Sequence, residues 1–124
     1  MTPADLIWNR ACEGGGANPC NGDRALAALL KAHGLAMNGG VLHAVECLSA
    51  PELADAESGY HYFGFGAVAD LLARARKILE ADQDLESCES QLDNDYAALI
   101  PDDSSLVERF EQFHKTQPSE FACV

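Results

Sequence analysis

His43 and Cys47, two residue types that bind metals and form thiolate pairs, stand four positions apart in this 124-residue chain. On a helix that spacing puts both on one face, one turn apart, able to share a ligand or to activate each other. The other histidines (His33, His61, His114) and cysteines (Cys12, Cys20, Cys88, Cys123) offer no second pair at metal spacing. Two ligands do not close a zinc site. The histidines therefore read as surface or half-buried groups, and Cys47 and Cys88 as small core residues. Gly14-Gly15-Gly16 lacks the following Lys-Ser or Lys-Thr of a phosphate loop and reads as a linker. Gly64-x-Gly66-x-x-Ala69 has the outline of a dinucleotide-binding turn, with Asp82 and Asp84 near the distance of a ribose-binding acid. The context is wrong for it, because residues 82–90 are polar, acid-rich and helical in pattern where a second parallel strand should lie. No serine has a nucleophile-elbow sequence around it. Neither a catalytic residue, a cofactor nor a metal is expected, and the reading is of a protein that is not an enzyme.

Charge is the stronger signal. Between Lys77 and Arg109 lie Glu80, Asp82, Asp84, Glu86, Glu89, Asp93, Asp95, Asp102, Asp103 and Glu108, with no basic residue among them. On one helix Asp82, Glu86, Glu89 and Asp93, spaced by four, three and four, form a row beside the apolar seam. Asp95 widens it, and Asp102 and Asp103 follow. These seven are the candidate partner-binding residues. Like charges one turn apart each cost a few tenths of a kcal/mol in an isolated helix, so packing elsewhere must hold this one. Net charge is −12, yet charged residues make up only 23% of the chain, so the imbalance comes from scarce Lys and Arg. Such a field repels nucleic acid and attracts basic partners. Direct DNA binding is not expected.

The elements that position these residues read as helices throughout. Ala4 to Cys12 suits one short helix. Asn21 or Asp23 can cap a second, carrying Leu26, Leu29 and Leu30 and ending near His33 or Ala36, before a turn at Asn38-Gly39-Gly40. Val41 to Leu48 is a short third. Ser49, Pro51 and Glu52 form a helix start with a capping box, and that helix ends near Gly59. Tyr60 to Gly66 reads as a packed aromatic loop. Val68, Leu71, Leu72, Ala75, Ile78 and Leu79 make one stripe over 67–81. Leu85, Cys88, Leu92, Tyr96 and Leu99 make another, stopped by Pro101. Ser105 with Glu108 predicts a further capping box, and Leu106, Phe110 and Phe113 line the last helix. The expectation is all-α, one domain of six or seven helices: a helix and Gly-rich loop over 1–20, a core over 21–117, and a tail over 118–124 that frays, with Phe121 free to dock.

No run of 18 apolar residues suggests a membrane span. The start, Met1-Thr2-Pro3-Ala4-Asp5, lacks the basic head and apolar stretch of a secretory signal. Five unpaired cysteines fit a reducing compartment, so the expected location is cytoplasmic.

Three segments in order carry a resemblance: Asn38-Gly39-Gly40 ahead of a short helix, Tyr60 to Ile78 with Gly66-Ala67-Val68-Ala69, and Tyr96-x-x-Leu99-Ile100-Pro101-Asp102-Asp103. Together, over about residues 23–117, they resemble the DUF4375 family of DMP19-like proteins. Val41, Leu42 and His43 stand where that family usually carries aromatics. The resemblance implies an all-helical fold, no known catalytic residues, and acidic side chains standing in for DNA phosphates. The functional expectation is a non-enzymatic interaction protein docking a basic partner, such as a DNA-binding regulator or a toxin. Its rivals are a metal-dependent or thiol enzyme, and a structural domain oligomerising through exposed Tyr60, Tyr62, Phe63 and Phe65.

Overall fold

Side-chain capping decides where several helices of this chain begin. The computed structural model describes residues 1–82 and 84–124, and among them every regular element is helical. Helix α1 (Pro3–Cys12) starts at Thr2, which accepts from Asp5 N–H while the Asp5 carboxylate accepts from Thr2 N–H. Helix α4 (Ala50–Tyr62) starts with the same device from Ser49 and Glu52, as the sequence predicts. Helix α2 (Asn21–Gly39) departs from expectation at both ends. Its N-cap is Cys20, and Asp23 is the acid of its third position. It runs on to Gly39 because only one residue, Gly40 at φ +96°, needs the left-handed region to turn the chain into α3 (Val41–Cys47). Gly39 serves a contact instead, since a Cβ there would strike the His43 ring.

Helices α5 (Gly66–Ala81), α6 (Leu85–Leu99) and α7 (Asp103–Thr116) follow, then a 3-10 turn at Pro118–Glu120. α4 runs three residues past Gly59 and takes in Tyr60, so the aromatic loop shrinks to Phe63-Gly64-Phe65. The cap of α7 is Asp102, not Ser105: Asp102 stands in extended geometry, and its carboxylate accepts from Ser105 N–H at 3.2 Å. Only Leu92 and Tyr96 of the α6 stripe are buried, and Leu99 is 40% exposed.

α2 is the axis of the packing, touching α1, α3, α4 and the 3-10 turn, while α5 bridges α3, α4 and α6. α4 approaches α2 closely at Gly59, where an added Cβ would lie 2.5 Å from the Ala25 carbonyl oxygen. The tail packs rather than frays. Phe121 is buried among Phe63, Phe110 and Phe113, and Tyr62 donates to Glu120. Beneath it Asp23, 1% exposed, accepts from Cys20 N–H, Ala122 N–H and the Arg10 guanidinium at 2.8–2.9 Å. Tyr60 and Phe63 are buried, and Tyr62 and Phe65 half-buried. The broad exposed aromatic patch that an oligomerising domain requires is therefore covered within one chain. Among the described residues no helix is long and apolar enough to cross a membrane.

Candidate protein-docking face

The seven acids divide by what they touch. Asp82 ends α5 in the left-handed region at φ 50°, a conformation that aspartate tolerates better than most residues. Asp82, Glu86 and Glu89 are exposed, and none is in an ion pair among the described residues. α6 begins at Asp84 without a side-chain cap. Its free N–H groups and dipole favour negative charge, which offsets part of the repulsion among Asp84, Glu86 and their neighbours.

The other four are engaged inside the fold. Asp93 accepts from Val41 N–H at 2.8 Å and so caps α3, whose own N-cap is a glycine with no side chain to offer. Asp95 binds the Arg74 guanidinium at 2.7 Å and the Gln91 amide at 2.8 Å. Asp102 caps α7, and hydrogen bonds from Ser104 and then from Ser105 N–H hold its carboxyl below the usual carboxylate range. Asp103 pairs with His33 at 2.7 Å while keeping a side chain 76% exposed. The acidic run is thus one free group at the α5–α6 junction and first half of α6, and one group of fold-supporting carboxylates beyond it.

Three of the eight Lys and Arg side chains are in ion pairs among the described residues. Arg10 is tied to Asp23, Lys31 to Glu52 and Arg74 to Asp95. Lys31 and the Ser49 cap hold the Glu52 carboxyl down at about 2.

The thiols do not assemble a nucleophile. Cys47 is exposed, not a core residue, because α3 turns its other side, Val41, Leu42, Ala44 and Val45, inward. Its sulfur lies 3.7 Å from both ring nitrogens of His43, equidistant rather than aimed at either as a hydrogen bond requires. Burial, with Glu13 beside it, pushes the Cys12 thiol up, towards its protonated form. Among the described residues no group of three or more His, Cys, Asp and Glu lies close enough to hold a metal ion.

A family model described as DMP19-like protein matches residues 20–121. The chain belongs to the DMP19-like family. The kinship expected from the three sequence segments is met, and the match runs from the N-cap of α2 to the buried Phe121. The DMP19-like family is not a known enzyme family. Neither a curated protein nor a solved structure matches the chain.

Within the matched segment of this DMP19-like protein lies a feature that spacing does not reveal. Asp103, His33, Tyr96 and Tyr60 form a file of side chains from α7, α2, α6 and α4. Asp103 meets His33 Nε2, His33 Nδ1 meets the Tyr96 hydroxyl, and that hydroxyl meets the Tyr60 hydroxyl, each at 2.7 Å. A carboxylate only accepts, so Nε2 carries a proton, and in the neutral ring Nδ1 then accepts. In that form Tyr60 donates to Tyr96, Tyr96 to His33, and His33 to Asp103. Both His33 nitrogens are engaged in hydrogen bonds. Burial pushes the Tyr60 hydroxyl far up, and burial pushes Tyr96 to about 12, so both are neutral donors at physiological pH. The sequence signal was present but slight: His33 and Tyr96 are polar residues on apolar stripes.

Proposed function

We propose that this protein works by docking, without catalysis, to a basic surface on another protein, with carboxylates standing where DNA phosphates would. The observation that carries the reading is the group Asp82, Glu86 and Glu89, exposed and without cation partners among the described residues, on a chain of net charge −12. Asp93 and Asp102 add negative charge while capping α3 and α7, and Asp95 and Asp103 are engaged with Arg74 and His33. From Glu86 to Asp93 three acids span seven steps of helix, about 5 Å of axis per charge, against roughly 3.4 Å per phosphate of one DNA strand. Family membership supports the same class of function. A DNA-binding regulator or a basic toxin has the surface that such a face would engage.

The test begins with a pull-down from the native cell and identification of basic partners by mass spectrometry. The partner is then titrated against the wild type and against Asp82→Asn/Glu86→Gln/Glu89→Gln at 50 and 200 mM salt. Exposed pairs worth about 0.2–1 kcal/mol each give an affinity loss of about 3- to 150-fold in the triple variant, with a similar loss at high salt. Affinity indifferent to both changes removes the electrostatic mechanism.

A further inference from the structure

Helical glycines are costly, so each needs a reason. Gly22 lies against Phe121 and the Glu120 carbonyl, Gly39 under His43, and Gly59 against the Ala25 carbonyl. Gly34 has none of these. It sits well inside α2, is exposed, and a Cβ built on it meets nothing within 4 Å. Its backbone is right-handed, so no turn requires it either. Alanine there would favour the helix by about 1 kcal/mol. Nothing within the described fold explains why the chain gives that up.

Gly34 lines a groove of about 540 Å³ between α1, α2 and the start of α7. α2 presents Leu30, Lys31 and Gly34 to it, α1 presents Trp8, and α7 presents Asp103 and Leu106. The walls are mainly apolar. Lys31 is paired with Glu52, whereas Asp103 stands with its side chain 76% exposed and, among the described residues, meets His33 alone. Asp102 adjoins it in the chain, with its carboxyl held below the usual range and no cation beside it among the described residues. The uncompensated charge of the groove is therefore negative, and its backbone is bare at one point on the wall.

We infer that this groove receives a basic amphipathic helix of the docking partner, its apolar side against Trp8, Leu30 and Leu106, its backbone passing close over Gly34, and a cation meeting Asp103. Charge complementarity selects the basic partner, and the missing Cβ gives the close approach that helix packing in a groove exploits. The inference rests on the docking reading above and adds where the partner's apolar anchor sits.

Calorimetric titration with a synthetic 18-residue Leu/Lys peptide, leucines on one helical face, tests it. Two controls accompany it: the same composition with leucines spread round the helix, and the one-faced peptide with Glu for Lys. The wild type should bind the one-faced basic peptide saturably and at least tenfold more tightly than either control. Gly34→Gln, which fills the groove with a better helix former, should raise Tm by about 2–5 °C and yet weaken the peptide at least tenfold. Gly34→Ala should raise Tm with a smaller loss of affinity. Absence of saturable binding by the wild type, equal affinity in Gly34→Gln, or a lowered Tm in Gly34→Ala would each overturn the inference. Equal affinity in Gly34→Gln, alongside salt-dependent partner binding lost in the Asp82/Glu86/Glu89 variant, would leave the docking reading intact. Partner binding that ignores salt and those acids would sink the docking reading by itself.

Discussion

Removing one oxygen from the middle of the buried file should cost far more than removing one from its end. In Tyr96→Phe the Tyr60 hydroxyl, on a residue 0% exposed, has no acceptor, and His33 Nδ1, on a residue 7% exposed, has no donor. Each orphaned buried group costs about 1–3 kcal/mol, so the variant should lose about 2–6 kcal/mol. In Tyr60→Phe the Tyr96 hydroxyl still donates to His33, and only one hydrogen bond is lost, about 1 kcal/mol. The double variant leaves only His33 Nδ1 orphaned, so its loss should fall below the sum of the two by about 2–4 kcal/mol. Urea unfolding followed by far-UV circular dichroism reads all three. With a slope of about 1.5 kcal/mol/M, the midpoint should fall by about 0.7 M in Tyr60→Phe and by at least about 1.3 M in Tyr96→Phe. A Tyr60→Phe loss equal to that of Tyr96→Phe, or strict additivity in the double variant, would refute the donor order assigned here.

Three further outcomes are expected. Stability should fall at alkaline pH. Tyr60 and Tyr96 keep their protons in the fold above the unfolded value near 10, so their contribution is complete below pH ~10 and is lost as pH rises towards 12, by about 1.4 kcal/mol per unit per tyrosine. Urea midpoints at pH 9, 10 and 11 check this, and an unchanging midpoint contradicts it. Asp23→Ala should lower stability by about 3 kcal/mol, the low end for a broken buried pair, because Arg10 is 23% exposed and keeps the Ala122 and Cys123 carbonyls. A thermal melt reads it, and a Tm within 2 °C of wild type would contradict the tie. Gly59→Ala should destabilise by about 1–3 kcal/mol despite its better helix propensity, since its Cβ has only 2.5 Å to the Ala25 oxygen. Its melt should move opposite to that of Gly34→Ala.

The helices were legible because their signals are local. Ser49, Pro51 and Glu52 carry their own instruction within four residues, and the stripe from Val68 to Leu79 needs only its own periodicity. Where several residues could perform one task, tertiary context chose. Asp102, Asp103, Ser104 and Ser105 can each cap a helix, and the structure uses the first, which stands in extended geometry and accepts from Ser105 N–H. The acidic row was legible as composition but not as accessibility. Asp93 differs from Glu89 only in that α6 swings it under the bare start of α3, 52 residues back along the chain. Asp23 showed the same limit: it read as a candidate cap of α2, and only the returning tail makes it a buried tie. The file from Asp103 to Tyr60 joins four helices over separations of 36 to 70 residues, and no spacing rule reaches that far.

Trp8 is the single tryptophan of the chain, half-buried 5.7 Å from the Phe110 ring and set in the wall of the Gly34 groove. Nature has therefore placed one intrinsic fluorophore at the spot where a visitor would displace water. Its emission maximum and its quenching by iodide should track occupancy of that wall directly, with no label attached and no second indole to blur the record.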